Sequence, residues 1–203
     1  MDGLTERQRA KRAQITDAAH RLFLADGFAG TSIDAIGAEA GVSKQTLYTY
    51  FPTKIDLLSA VLYNGISDLS LPSGAAPAMS TRDDLRIILL GFAVQSTRAL
   101  LDPETIAMAR LVLGEVFRVV ELRRVFRDAL PGQLLAVVQA ILVRAAELGL
   151  IRLSDPELAT RMFVGPLMSY IALDGFLSAE PATPPSVEQL ERLVDAFLTL
   201  MEL

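Results

Sequence analysis

Residues 31–54 read TSIDAIGAEAGVSKQTLYTYFPTK, two short helical patterns parted by a glycine turn and closed by an aromatic–proline stop. Thr31 and Asp34 have the spacing of a capping box, in which a hydroxyl takes the N–H three residues on and the acidic side chain reaches back. The helix they would open carries Ile33 and Ile36 on one face, with Ala35, Ala38 and Ala40 small enough for close helix contact. Gly41 supplies left-handed backbone at a helix C-terminus. Val42 fills the angle and Ser43 caps the next helix. There Leu47 and Phe51 face inward, Lys44, Gln45, Thr46 and Tyr48 face outward near the N-terminal end, and Pro52 ends the element. A glycine turn followed by hydrogen-bonding residues at the start of a second helix describes a helix-turn-helix, at about residues 32–51. In that motif the second helix lies in the DNA major groove and reads bases from its first residues.

A Gly-x-Ser between two helices also occurs at ordinary helical corners. What separates the two readings is the whole string in order: Thr-Ser, Ile-x-x-Ile, Ala-Gly-Val-Ser-Lys, Thr-Leu-Tyr, then Tyr-Phe-Pro-x-Lys. With the preceding Leu22-Phe23-x-x-x-Gly27-Phe28, residues 10–70 resemble the DNA-binding domain of the TetR family of bacterial transcriptional regulators. The segment from Ala109 to Tyr170 is similar to the ligand-domain pattern of its AefR-like branch. The resemblance implies an all-α protein of nine to ten helices. A three-helix helix-turn-helix domain would occupy residues 10–70, and a larger helical ligand-binding and dimerisation domain residues 81–203.

On this reading Gln45 and Thr46 are the base readers, since an amide pairs bidentately with adenine and a threonine methyl meets the thymine methyl. Lys44, Tyr48, Tyr50 and Lys54 would contact phosphates, with Thr31 and Ser32 offering hydroxyls and helix-end N–H groups. The family often has His where Tyr50 stands and a small residue where Gln45 stands. Gln45 is therefore expected to influence operator preference, and Tyr50 to be a packing variant.

Net charge is −5 over 203 residues, an unusual balance for a DNA binder until the chain is divided. Residues 1–54 hold seven Lys/Arg against six Asp/Glu, and the remainder twelve against eighteen. Four of those seven positive charges lie between Arg7 and Arg12, where they can reach phosphates and add salt-dependent affinity. Cysteine is absent, which excludes disulfides and thiolate metal sites and agrees with a cytoplasmic location. The longest charge-free run, Ala129 to Val143, contains Pro131, Gly132 and Gln139 and falls short of the ~20 apolar residues that span a bilayer. The charged N-terminus has no apolar signal region.

Helical periodicity runs the length of the chain with no competing strand pattern. The first helix extends from about Glu6 to Ala25 and ends at Asp26-Gly27. Capping boxes at Thr53/Asp56, Thr81/Asp84 and Ser186/Gln189 open later helices, and Asp102-Pro103, Pro131 and Ser154-Asp155-Pro156 mark further starts. The turn-rich stretch 71–80 reads as the domain boundary, and the helix after Pro156 is expected to run to about Ala179. The last two helices carry Met162, Phe163, Leu167 and Ile171, then Leu190, Leu193, Val194 and Phe197, an apolar set suited to a homodimer interface. A pair of half-sites on palindromic double-stranded DNA suits such a dimer.

Polar and aromatic groups among the middle helices are candidates for contacts to a small-molecule effector. They are Phe92, Gln95, Arg110, Glu115, Phe117, Gln139, Tyr170 and Asp174. Few polar anchors suit an apolar or amphipathic ligand. No cofactor, metal or membrane partner is expected. One histidine, His20, and no cysteine or Gly-rich phosphate loop leave no catalytic constellation, so the chain is not read as an enzyme. A helical small-molecule carrier would need neither the basic arm nor the polar face on the second helix. The residues themselves do not separate a repressor from an activator; the resemblance favours a repressor released by its ligand.

Overall fold

In a computed structural model residues 5–68, 78–129 and 131–201 are described. The described residues form ten α-helices and one π-helical segment, with no strand among them. The helices are α1 (Glu6–Gly30), α2 (Ile33–Glu39), α3 (Lys44–Tyr50), α4 (Lys54–Asp68), α5 (Arg82–Leu100), α6 (Pro103–Val116), α7 (Val120–Ala129), α8 (Pro131–Glu147), α9 (Pro156–Tyr170) and α10 (Val187–Leu200).

Local signals start most of these elements. Thr5 and Gln8 make a capping box on α1. Thr53 and Asp56 exchange hydrogen bonds of 3.0 Å ahead of α4, and Thr81/Asp84 and Ser186/Gln189 do the same for α5 and α10. The first helix breaks at Gly27, whose φ of 74° is left-handed backbone that favours glycine.

The box expected from Thr31 and Asp34 does not form. Ser32 is the cap of α2, its hydroxyl accepting from the Ala35 N–H at 3.0 Å. The chain reversal at Gly27 instead brings Thr31 under α1, where its hydroxyl donates to the carbonyls of Gly27 (2.8 Å) and Leu22 (3.1 Å).

The chain divides into two compact units, residues 1–65 with 107–127 and residues 66–106 with 128–203. The stretch 71–80, read above as a boundary, falls mostly outside the described residues. In the first unit Ile15, Phe23, Ile36, Leu47, Phe51, Leu57 and Leu58 are fully buried together with Val112 of α6 and Leu122 of α7. The core of this unit thus includes residues far along the chain.

In the second unit α5, α8, α9 and α10 surround a core in which the rings of Phe92, Phe163 and Phe197 follow one another at 6.3 and 5.1 Å. Most of the residues expected at a dimer face pack into this core. Phe163, Leu167, Ile171, Leu190, Val194 and Phe197 all lie inside this core, at most 4% exposed. The apolar stripe of each helix closes its own unit, each large side chain gaining roughly 1.5–3 kcal/mol on burial. Of the expected set only Met162 is exposed and Leu193 partly so.

The helix expected to continue to Ala179 changes character. After Tyr170 it widens into a π-helical segment, Ile171–Phe176. Pro166 has already removed one N–H from the α ladder. The wide turn seats the buried Gly175 so close to Leu101 that a Cβ there would lie 2.7 Å from its Cδ2.

Candidate nucleic-acid interface

The α2–α3 turn is built from backbone. Gly41 adopts φ 58°, its N–H donates to Ala38 (3.1 Å), and the Val42 N–H donates to Gly37 (2.9 Å). A Cβ at Gly37 would meet the Val42 carbonyl oxygen at 3.0 Å, so this position also demands a small residue. Ser43 caps α3 through the Thr46 N–H at 3.1 Å, and its hydroxyl lies 2.8 Å from the Thr46 hydroxyl. Leu47 and Phe51 are fully buried.

That anchoring leaves Lys44, Gln45, Tyr48 and Thr49 exposed along one side of α3. Gln45, Tyr48 and Thr49 stand at i, i+3 and i+4 and therefore share a face. Thr46 is half-buried and its hydroxyl is engaged with Ser43, so it is less free than expected. Thr49, not among the expected contacts, is exposed on the same face, with its hydroxyl donating to the Gln45 carbonyl at 3.0 Å.

Some of the expected phosphate contacts already have partners within the fold. Lys44 is exposed and pairs with Asp34 across the turn, Nζ to Oδ1 3.0 Å. The hydrogen bond to Asp34, reinforced by its charge, raises the Lys44 pKa. Lys54 is half-buried: its Nζ donates to the Phe28 carbonyl and lies 4.4 Å from the centre of the Phe28 ring. Burial lowers its pKa, partly opposed by the charge of Glu115 on α6. Tyr50 is half-buried against the core. Thr31 is 3% exposed with its hydroxyl turned inward, whereas Ser32 is exposed at the start of α2.

The basic N-terminal segment also divides. Arg7 and Arg9 are exposed and bear no acidic partner among the described residues. Arg12 instead donates to the Tyr50 carbonyl at 3.1 Å and stacks 4.3 Å from the centre of the Phe51 ring, tying α1 to the end of α3. Gln14 adds a second tie, donating to the Ala40 carbonyl at 2.8 Å. His20 is half-buried.

The candidate effector contacts fall in both units. Arg110, Glu115 and Phe117 belong to the first unit, with Phe117 76% exposed. In the second unit Phe92 is in the core, Gln139 is on the surface, Gln95 lines an open groove of about 930 Å³, and Tyr170 and Asp174 share a cavity of about 320 Å³. Among the described residues no group of three or more His, Asp or Glu could hold a metal ion. No helix among them is long and apolar enough to cross a membrane.

A short capped helix, held by Leu47 and Phe51 and presenting Gln45, Tyr48 and Thr49 beyond a glycine turn, is the reading head of a helix-turn-helix DNA-binding regulator. Comparison with known proteins agrees. Residues 15–61 match the model of bacterial regulatory proteins of the TetR family, and residues 88–202 match the AefR-like transcriptional repressor C-terminal domain. The chain belongs to the TetR family and is a DNA-binding transcriptional regulator, like the members of that family, which are not enzymes.

Among curated relatives, an HTH-type transcriptional regulator of Mycobacterium tuberculosis is 28% identical over 175 residues, covering 86% of this chain and 79% of that protein. The transcriptional activator FasR of Mycolicibacterium smegmatis is 37% identical over 76 residues, 37% of this chain and 34% of its own length. Among solved structures, a TetR-family regulator of Mesorhizobium loti superposes with a TM-score of 0.79 at 26% identity, covering 98% of this chain and all of that one. The flavonoid-responsive regulator FrrA gives 0.76 at 29%, covering 95% of each chain.

Proposed function

We propose that the protein acts in the cytoplasm as a homodimeric repressor that leaves a palindromic operator when a small, largely apolar molecule binds its second unit. The observation that carries the DNA-reading half is the exposed face of α3, set on a braced turn. Within that face Gln45, Tyr48 and Thr49 are the base-side contacts, while Lys44, Ser32 and the exposed Arg7 and Arg9 serve phosphates. A single reading head buries little surface, so two heads on two half-sites supply the affinity and match a two-fold operator.

The dimer face on this reading is the outer side of the last two helices rather than their buried stripes. Leu158, Met162 and Leu173 are 55%, 40% and 63% exposed, and Ser169 falls between them on the same side. On α10 the outer positions are Leu193, Ala196 and Leu200.

Release requires the effector to prefer the non-binding conformation, by ~5.5 kcal/mol for a reversal from 99:1 to 1:99. The flavonoid-responsive relative supports a small, mostly apolar effector, and the repressor domain matched over residues 88–202 supports repression. Activation is the second reading, supported by the activator FasR over 76 residues.

The test is selection of preferred duplexes from random DNA, followed by gel shift of wild type, Gln45→Ala and Tyr48→Ala. Both variants should lose specific binding, and Gln45→Ala should also relax base preference at one position in each half-site. Unchanged affinity and preference in both would overturn the assigned face.

A further inference from the structure

The side of α5 turned away from its core forms, with the start of α10, an open groove of about 930 Å³. Its lining is sorted by polarity. Along α5 the apolar Ile87, Leu90 and Val94 precede Gln95, Arg98 and Ala99; Asp102 and Thr105 follow at the start of α6, and Val187 of α10 completes the lining. From Ile87 to Arg98 the helix rises ~16 Å at 1.5 Å per residue, the length of a medium acyl chain with its headgroup.

Two further features point to an occupant. Arg98 has no acidic partner among the described residues; Asp102, the carboxylate in the same lining, already accepts the N–H groups of Glu104 (3.0 Å) and Thr105 (3.3 Å) at the start of α6. With no ion pair to Asp102, the guanidinium is offered to an anion, with the Gln95 amide and Thr105 hydroxyl also in the lining. Between the apolar side chains stands Gly91, in mid-helix, and a Cβ there would meet nothing within 4 Å. A mid-helix glycine costs about 1 kcal/mol against alanine, and here it leaves open space on the groove floor.

We propose that this groove binds an amphipathic anion, an apolar chain lying over Gly91 with its carboxylate or phosphate head on Arg98. This deepens the ligand-responsive reading and rests on it only for the final step, release of DNA. The probes are decanoate, decyl phosphate, decanol and decylamine, titrated by calorimetry into the full-length protein without DNA. The two anions should bind saturably, decanol at least about tenfold more weakly for want of a charge-assisted hydrogen bond, and decylamine weakest. The ratio of decanoate to decyl phosphate tells which head the site prefers.

Arg98→Gln should erase the preference for anions while leaving decanol binding unchanged. Gly91→Leu should abolish binding of all four and leave the protein folded, with a melting temperature at or above that of wild type. Equal affinity for the anions and decylamine, or anion binding unaltered in both variants, would overturn the proposal. Operator release is then measured separately by adding decanoate to the protein–DNA complex. Saturable anion binding without release keeps the site and refutes only its role as the effector site.

Discussion

Arg12 is the sharpest place to separate scaffold from DNA contact. It stands in a run of four positive charges, and a reading by charge alone assigns it to phosphate. Its guanidinium instead donates to the Tyr50 carbonyl at 3.1 Å and lies over the Phe51 ring at 4.3 Å. A hydrogen bond from a charged group contributes about 1.5–3 kcal/mol and a partly exposed cation–π contact about 0.5–1 kcal/mol. Allowing for solvent at a half-buried site, Arg12→Ala should cost about 2 kcal/mol. In a chain of 203 residues that is a fall of roughly 4–8 °C in melting temperature at fixed protein concentration. The decisive measurement is the dependence of operator affinity on salt. Each phosphate neutralised contributes a slope of about −0.9 in log K against log salt. Arg12→Ala should leave the slope where it is, while Arg7→Ala, at an exposed position with no acidic partner among the described residues, should reduce it by about 0.9 per protomer with no change in melting temperature. A reduced slope with unchanged stability in Arg12→Ala would refute the assignment.

The other predictions concern stability and assembly. The Asp84 carboxyl, held by the N–H of Ser80, then by that of Thr81 and by both hydroxyls, has its pKa lowered to about 2. A depressed folded pKa gives stability that is complete above the unfolded value of ~3.9 and lost as pH falls toward 2. The difference in urea midpoint between wild type and Asp84→Asn should thus be flat above pH ~5 and shrink on acidification; a difference that grows would contradict the cap. Gly175→Ala forces a Cβ to within 2.7 Å of Leu101, itself only 3% exposed, and should lose about 1–3 kcal/mol in urea unfolding. Gly91→Ala, in open space on α5, should gain up to ~1 kcal/mol. Met162→Arg should give monomers in light scattering while leaving the helical content unchanged; a persistent dimer would remove α9 from the interface.

Signals carried within one helical turn were legible in the sequence. The Thr53, Thr81 and Ser186 caps each need only a partner three residues on, and all three form. Thr31 has the same spacing to Asp34, but Ser32 beside it is equally able to cap. The choice is settled by Gly27, whose left-handed turn places the Leu22 and Gly27 carbonyls over Thr31. Contacts across the fold were not legible. The partner of Arg12 is 38 residues away, and that of Lys54 is 26 residues back at Phe28. An apolar stripe reads the same whether it closes its own core or meets a copy, which is why Phe163, Leu167 and Phe197 were open to both uses. The outward placement of Lys44, Gln45 and Tyr48 on α3 was legible because the inward Leu47 and Phe51 fix it by helical geometry, whereas the half-burial of Thr46 and the exposure of Thr49 were not read from it.

The same kind of long-range contact changes the account of charge. Cut by position at residue 54, the chain has a first part of +1, barely basic for a DNA-binding unit. The first compact unit also takes in residues 107–127, through Met108, Val112, Val116 and Leu122 in its core. Residues 1–65 hold seven basic and seven acidic side chains and residues 107–127 five and two, so this unit carries +3 and the other −8. One of the added arginines, Arg123, is fixed by its bonds to the Val116 and Phe117 carbonyls at the end of α6. The acidity of the chain therefore belongs to the unit without the reading head. A self-repelling −8 would keep non-specific DNA away from that unit while leaving the approach of the helix-turn-helix to phosphates favourable. Charge is thus partitioned by tertiary contact, and the hydrophobic spacing of α6 along one face is what performs the partition.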